Sequence, residues 1–171
     1  LGASFEDPVP VSFWPLFGTM DVGPDGEVYA VGIDGRFGQD FDTFTISKST
    51  NAENNAASPV FSGKVIDLGG SMVIGASPNP GGLLGQGTVA VSHTSGASRG
   101  NVYVVASVNP TGGDPLDVHF IRSTDGGTTW SAPVKVNDDA SSLNWQWFGA
   151  VSTGPRGRID VVWNDTRDSG Q

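Results

Sequence analysis

The sequence contains no cysteine. That excludes a disulfide framework, thiol catalysis and thiolate-held metal, although not secretion. Histidine is scarce: His93 and His119 are isolated, with no spacing that links them as metal ligands, and both read as structural. Bases are scarce too. Nine Lys and Arg against 18 Asp and Glu leave a formal charge of −9. A surface of that sign repels phosphate backbones and anionic lipid, so nucleic acid is excluded as a natural partner. No apolar run approaches the roughly 18–20 residues that span a bilayer, so membrane insertion is not expected. No window of about 11 residues carries apolar spacings of 3 and 4, which excludes amphipathic helices. Residues 51–58 have room for one helical turn before Pro59 ends it. The chain starts at Leu1 without a basic-then-apolar leader, and reads as a processed product or a piece of a longer protein.

What is abundant is turn chemistry. The 171 residues, a length that fits one domain, include 25 Gly and 11 Pro. Val, Ile and aromatic residues concentrate in short runs between these turns, which argues for packed strands and against disorder. Residues 19–22 and 27–33 flank Gly23-Pro24-Asp25-Gly26. Residues 88–92 and 101–108 flank a polar stretch, and residues 150–152 and 158–163 flank Thr153-Gly154-Pro155-Arg156-Gly157. Each set reads as strand, turn, strand.

The three hairpins are copies of one another. They open with Gly18-Thr19-Met20, Gly87-Thr88-Val89 and Gly149-Ala150-Val151, spaced 69 and then 62 residues apart. In the middle copy two further strands follow, at 117–123 and 133–137; in the first they fall at 43–47 and near 63–68. Four strands per repeat predict propeller blades, an all-β fold of four-stranded antiparallel sheets. The blades run over 18–68, 87–137 and an incomplete 149–171, with residues 1–17 as a lead-in strand. Two and a half blades cannot close a ring of about 4–8. The remaining blades of a longer chain, or self-association, are therefore expected to cover the raw edges.

The most specific string is Ser123-Thr124-Asp125-Gly126-Gly127-Thr128-Thr129-Trp130. Asp125 can accept backbone N–H bonds within its own turn, and the glycines supply positive φ. Ser123 and Thr128 hydroxyls can cap remaining polar groups, and Trp130 offers a large face to bury. The string resembles the Asp-box, Ser-x-Asp-x-Gly-x-Thr-Trp, of the sialidase superfamily, also called the bacterial neuraminidase repeat. Ser123, Asp125, Gly127, Thr129 and Trp130 fill the defining positions. The first blade has a poorer counterpart, Ser49-Thr50-Asn51-Ala52-Glu53. The resemblance implies a structural role for the box, since family boxes lie away from the catalytic centre. It also implies a substrate site on the opposite end of the blades, and a secreted bacterial protein, extracellular or periplasmic.

At that opposite end, Asp34-Gly35-Arg36 and Asp165-Thr166-Arg167 follow the second strands of their blades, 131 residues apart; the middle blade has Val108-Asn109-Pro110 instead. Family sialidases hold the substrate carboxylate with three arginines, because guanidinium forks match carboxylates. Arg36 and Arg167, with Asp34 and Asp165, are the candidates; the plainer reading is a pair that ties down each loop. Trp145 and Trp147 could stack on sugar rings or pack between blades, and Phe13-Trp14 has the same two readings. Asp138-Asp139 and Asp40-Asp42 could offer oxygen ligands to Ca²⁺ but form no loop motif, so no metal or other cofactor is expected. The family's Tyr nucleophile and partner Glu have no clear equivalents. Tyr29 and Tyr103 lie within strands, and Glu6, Glu27 and Glu53 sit on no persuasive site loop. No catalytic residue is assigned. The resemblance implies glycan recognition, with exo-sialidase hydrolysis conceivable only in a complete protein; the alternative is a non-catalytic extracellular adhesion or assembly module.

Overall fold

A computed structural model describes residues 7–36, 38, 40–54, 56–140 and 142–169. Its architecture is all-β, antiparallel within each sheet, with a curled sheet resembling half a barrel. Among the described residues the only helical element is one 3-10 turn, Pro155–Gly157, and no helix is long and apolar enough to cross a membrane. The first sheet is a meander of β1 (Met20–Val22), β2 (Val28–Asp34), β3 (Asp40–Ser49) and β4 (Phe61–Ile66). The second contains β6 (Thr88–Val91), β7 (Val102–Pro110), β8 (Asp117–Ser123) and β9 (Val134–Lys135). A short β5 (Gly70–Ser71) adds to it by pairing with Asn109 and Pro110 of β7. The third is a hairpin of β10 (Gln146–Thr153) and β11 (Ile159–Asp165).

The three sheets share one register. Thr88 stands opposite Val105 and Ala150 opposite Val162. In the first sheet Thr19 bonds the backbone N–H of Val31 through its carbonyl, one position before the Met20–Ala30 pair. The repeated glycine preceding each of these residues has a packing reason. A Cβ on Gly18 would lie 1.7 Å from the Val31 carbonyl oxygen. Gly18 also forms a parallel bridge with Gly87, and Leu116 forms one with Trp145. The first strands of all three sheets therefore run the same way.

Alternation decides what is buried. Tyr29, Val31 and Ile33 point from β2 into a core shared with Val89, Val104 and Ile121 of the second sheet. Each fully buried side chain of this size contributes about 1.5–3 kcal/mol. First-strand edges, which would otherwise invite pairing, are blunted by side chains. Thr19 Oγ1 accepts from Val89 N at 3.1 Å, and Asp21 Oδ2 from Val91 N at 2.7 Å. Thr153 Oγ1 donates to the Val91 carbonyl at 3.0 Å.

Several sequence expectations need correction. The lead-in is not a strand over its described residues, 7–17. It makes one antiparallel bridge, Leu16 to Ile33, and bends through positive φ at Phe13, Trp14 and Phe17. Residues 1–6 lie outside the described residues. Instead of running as a strand, this segment lies across the first sheet: Ser12 Oγ donates to the Phe61 carbonyl, Ser47 Oγ donates to the Ser12 carbonyl, and Phe13 occupies the space above Gly63. Residues 51–58 form turns and no helix among those described. Asn109 and Pro110, expected in a loop, complete β7, and the third sheet starts at Gln146 rather than near Gly149.

Candidate functional site

Antiparallel order places the ends of β2 and β11 at one end of the sheets and the Ser123–Trp130 turn at the other. Asp34 and Asp165 are the last residues of their strands. Each turns the chain by accepting the backbone N–H two residues on: Arg36 N to Asp34 Oδ1 at 3.0 Å, and Arg167 N to Asp165 Oδ1 at 2.8 Å. Each then holds that arginine's side chain. Arg36 donates from Nε and Nη2 to Asp34, the shortest contact 2.6 Å. Arg167 contacts Asp165 Oδ2 through Nε at 2.8 Å and Nη2 at 2.7 Å, and donates from Nη1 to Asp138 Oδ1 at 2.8 Å. The guanidinium of Arg36 also stacks on the Phe13 ring, 3.6 Å from its centroid. The candidate pairs thus form two copies of one staple.

Their electrostatics follow. The Arg36 hydrogen bonds hold the Asp34 carboxyl below its ordinary range, and those of Arg167 do the same to Asp138. At Asp165 burial pushes upward, but bonds from Arg167, Trp163 and Gln146 outweigh it and the net shift is downward. Both guanidiniums are pushed up in return, chiefly by the hydrogen bonds they donate to their aspartates. Trp145 and Trp147 are half-buried, so neither joins the closed core. The Trp145 backbone pairs with Thr166, and the Trp147 ring lies 5.1 Å from that of Phe148. Trp14 is exposed.

The middle sheet carries a different network at this end, which the sequence reading missed. Lys135 Nζ meets Asp117 at 2.6 Å and Asp114 at 3.5 Å. Asn137 Nδ2 donates to both Asp117 and Asp139 at 2.7 Å. Burial and the neighbouring Asp117 charge raise the Asp114 carboxyl, whose Oδ1 is enclosed without a partner. The signal available was Val108-Asn109-Pro110 itself: a sheet lacking the Asp-x-Arg staple must tie this end another way. Among the described residues no three acids or histidines converge to hold a metal. Asp138 serves Arg167, Asp139 accepts from Asn137 and Asn144, and Asp40 accepts from the Asp42 backbone.

At the other end the Asp125 turn closes on itself. Asp125 Oδ1 accepts from Thr129 N at 2.8 Å and Ser123 Oγ at 2.7 Å, and Oδ2 accepts from Thr129 Oγ1 at 2.6 Å. Gly127 N donates to Ser123 Oγ, and Trp130 Nε1 to the Gly127 carbonyl. These donors hold the Asp125 carboxyl far below its usual range, with the Thr129 hydroxyl the largest cause. Trp130 is half-buried and packs a face against the core. In the first sheet Ser49 and Asn51 repeat the pattern: Ser49 Oγ donates to Asn51 Oδ1 at 3.0 Å, and Val60 N donates to the same oxygen at 2.8 Å. The histidines serve backbone carbonyls, His93 that of Val22 and His119 that of Leu68. Tyr29 and Tyr103 are buried.

Four depressed carboxyls make acid lability an expected property. A folded-state pKa below the unfolded value near 4 contributes stability that is complete above that value. It is lost as pH falls through the folded value. Thermal melts should be flat from about pH 7 to 5 and fall steeply below about pH 4. Asp34→Asn combined with Asp165→Asn should flatten that fall; an unchanged pH profile in the double variant would contradict it. Asp114, raised in the fold, acts with opposite sign and offsets part of the loss.

No family model matches this sequence, and a comparison with curated proteins gives no match.

Proposed function

We propose that this chain forms blades of a sialidase-type β-propeller, secreted by a bacterium, whose staple-bearing end recognises a glycan. The shared register of the three sheets carries the reading, with their first strands side by side along a groove of about 510 Å³. The Asp125 turn and its Asn51 counterpart support it, because a repeat predicts the same turn at the same corner. Arg36 and Arg167 are the candidate contacts for an acidic sugar such as sialic acid, with Trp145 and Trp147 beside Arg167 as stacking surfaces. Hydrolysis would need residues that these blades do not supply.

A second reading, a non-catalytic adhesion or assembly module, is favoured by two observations. The forks of both arginines are already engaged by their own aspartates, and a guanidinium has five donors in all. In addition, the third sheet leaves one face uncovered where the first two are covered. A further sheet, from a longer chain or a second copy, fits that face.

Titration with sialyllactose separates the readings. Arg36→Ala and Arg167→Ala should each weaken binding by about tenfold, the scale of one lost charge-assisted contact. Absence of binding by the wild type in its assembled form would sink the glycan reading and leave the assembly module.

A further inference from the structure

Five bases of this acidic chain, Arg36, Arg99, Lys135, Arg158 and Arg167, pair with aspartates. Lys48 and Lys64 do not: among the described residues no carboxylate lies within ion-pair distance of either ammonium. They stand on β3 and β4 of the first sheet and reach towards the Asp125 turn of the second. Lys48 Nζ donates to the Gly126 carbonyl at 3.0 Å, and Lys64 Nζ donates to the Thr128 carbonyl. The Tyr29 hydroxyl donates to the same Gly126 oxygen at 3.3 Å.

Between them lies a cleft of about 270 Å³, with Ile46 and Tyr29 among its lining residues and Ser62 at its side. Glycine keeps it open. Gly126 and Gly127 have φ of 66° and 91°, and a Cβ on Gly126 would stand 3.0 Å from Lys48 Nζ. An ammonium carries three donors; Lys48 uses one on the Gly126 carbonyl and also meets the Tyr29 hydroxyl, and Lys64 uses one on the Thr128 carbonyl, so each keeps at least one for a ligand. Lys48 is half-buried and lies 5.2 Å from the Tyr29 ring centroid, where partial exclusion of water strengthens its field. Two like charges line one cleft with no carboxylate in ion-pair distance among the described residues, an arrangement that an anion between them would relieve.

We propose that this cleft binds a small oxyanion, of the sulfate or carboxylate kind carried by acidic sugars, bridging Lys48 and Lys64. It lies at the opposite end of the sheets from Arg36 and Arg167, and stands or falls independently of the glycan reading there. The volume admits one anionic group with at most a single sugar ring.

Sodium sulfate is titrated into the full chain at ionic strength held constant with chloride, following the amide resonances of Gly126, Gly127 and Thr128. A saturable shift is expected in the wild type, weakened about tenfold in Lys48→Met and in Lys64→Met. Lys64 is exposed, so its variant keeps the fold even if Lys48→Met does not. Arg158→Met, which removes a charge elsewhere on the same end, should bind as the wild type does. Glucuronate against glucose 6-sulfate, with neutral glucose as the uncharged control, tells a carboxylate source from a sulfate ester. Non-saturable shifts, wild-type affinity in Lys64→Met, or equal weakening by Arg158→Met would overturn the proposal.

Discussion

Replacing Gly18 with alanine should cost at least about 3 kcal/mol, the upper end of what overpacking a tight site costs. The added methyl would sit 1.7 Å from the Val31 carbonyl oxygen and 2.6 Å from its carbon, with the Gly32 Cα at 2.9 Å. All three are backbone atoms, so no rotamer change relieves the clash. The Val31 carbonyl belongs to the strand that anchors the core, and displacing it disturbs the pairing of β2 with β3. At Gly87, the equivalent residue of the second sheet, the nearest atoms are the Val31 methyls at 3.3 Å. Those can give by a few tenths of an ångström, and Gly87→Ala should cost about 1 kcal/mol. Thermal melts of both variants test the contrast. For a domain of this size a 3 kcal/mol loss lowers Tm by roughly 6–12 °C. Equal Tm values for the two would show that the close approach at Gly18 is not what keeps glycine there.

The same comparison shows what was legible in the sequence. The Gly-Thr-Met, Gly-Thr-Val and Gly-Ala-Val openings mark a place where backbone must approach backbone. That constraint is local, so the repeat, the strand positions and the register could be read from spacing. β8 falls at residues 117–123 as expected, and the Asp125 turn bonds as its residue types dictate. Longer-range features were hidden. Nothing in residues 7–17 signals that they fold over the first sheet. That depends on Ser47 and Gly63 standing where the second sheet has larger apolar residues, which leaves room for Phe13. Asp34 and Arg36 were found as a pair, but which atoms they spend on one another is a matter of side-chain geometry. Lys135 with Asp117 escaped notice because its members lie on different strands with no shared motif. Trp130, read as offering a large face to bury, is half-buried and packs against the core.

The register also sets up the sharpest test of how these sheets assemble. Val31, Val105 and Val162 occupy one position in three sheets. Val31 is 1% exposed and Val105 0%, because the next sheet covers each; Val162 is 65% exposed. Its neighbours on that face, Asp160 and Asn164, are exposed as well. An aspartate at Val105 would bury an unpaired carboxylate, at a cost on the order of 5 kcal/mol, comparable to the whole stability of a modest domain. Val105→Asp should therefore fail to fold or melt far below the wild type. Val162→Asp should change the stability of the isolated chain by no more than about 0.5 kcal/mol, as surface substitutions do. Its effect should appear in association instead. If a further sheet docks on this face, as proposed, the charge would face an apolar partner, and sedimentation should show Val162→Asp as monomer at concentrations where the wild type associates. Wild type and variant sedimenting alike as monomers would mean that the third sheet's face stays bare, and the assembly reading would lose its main support.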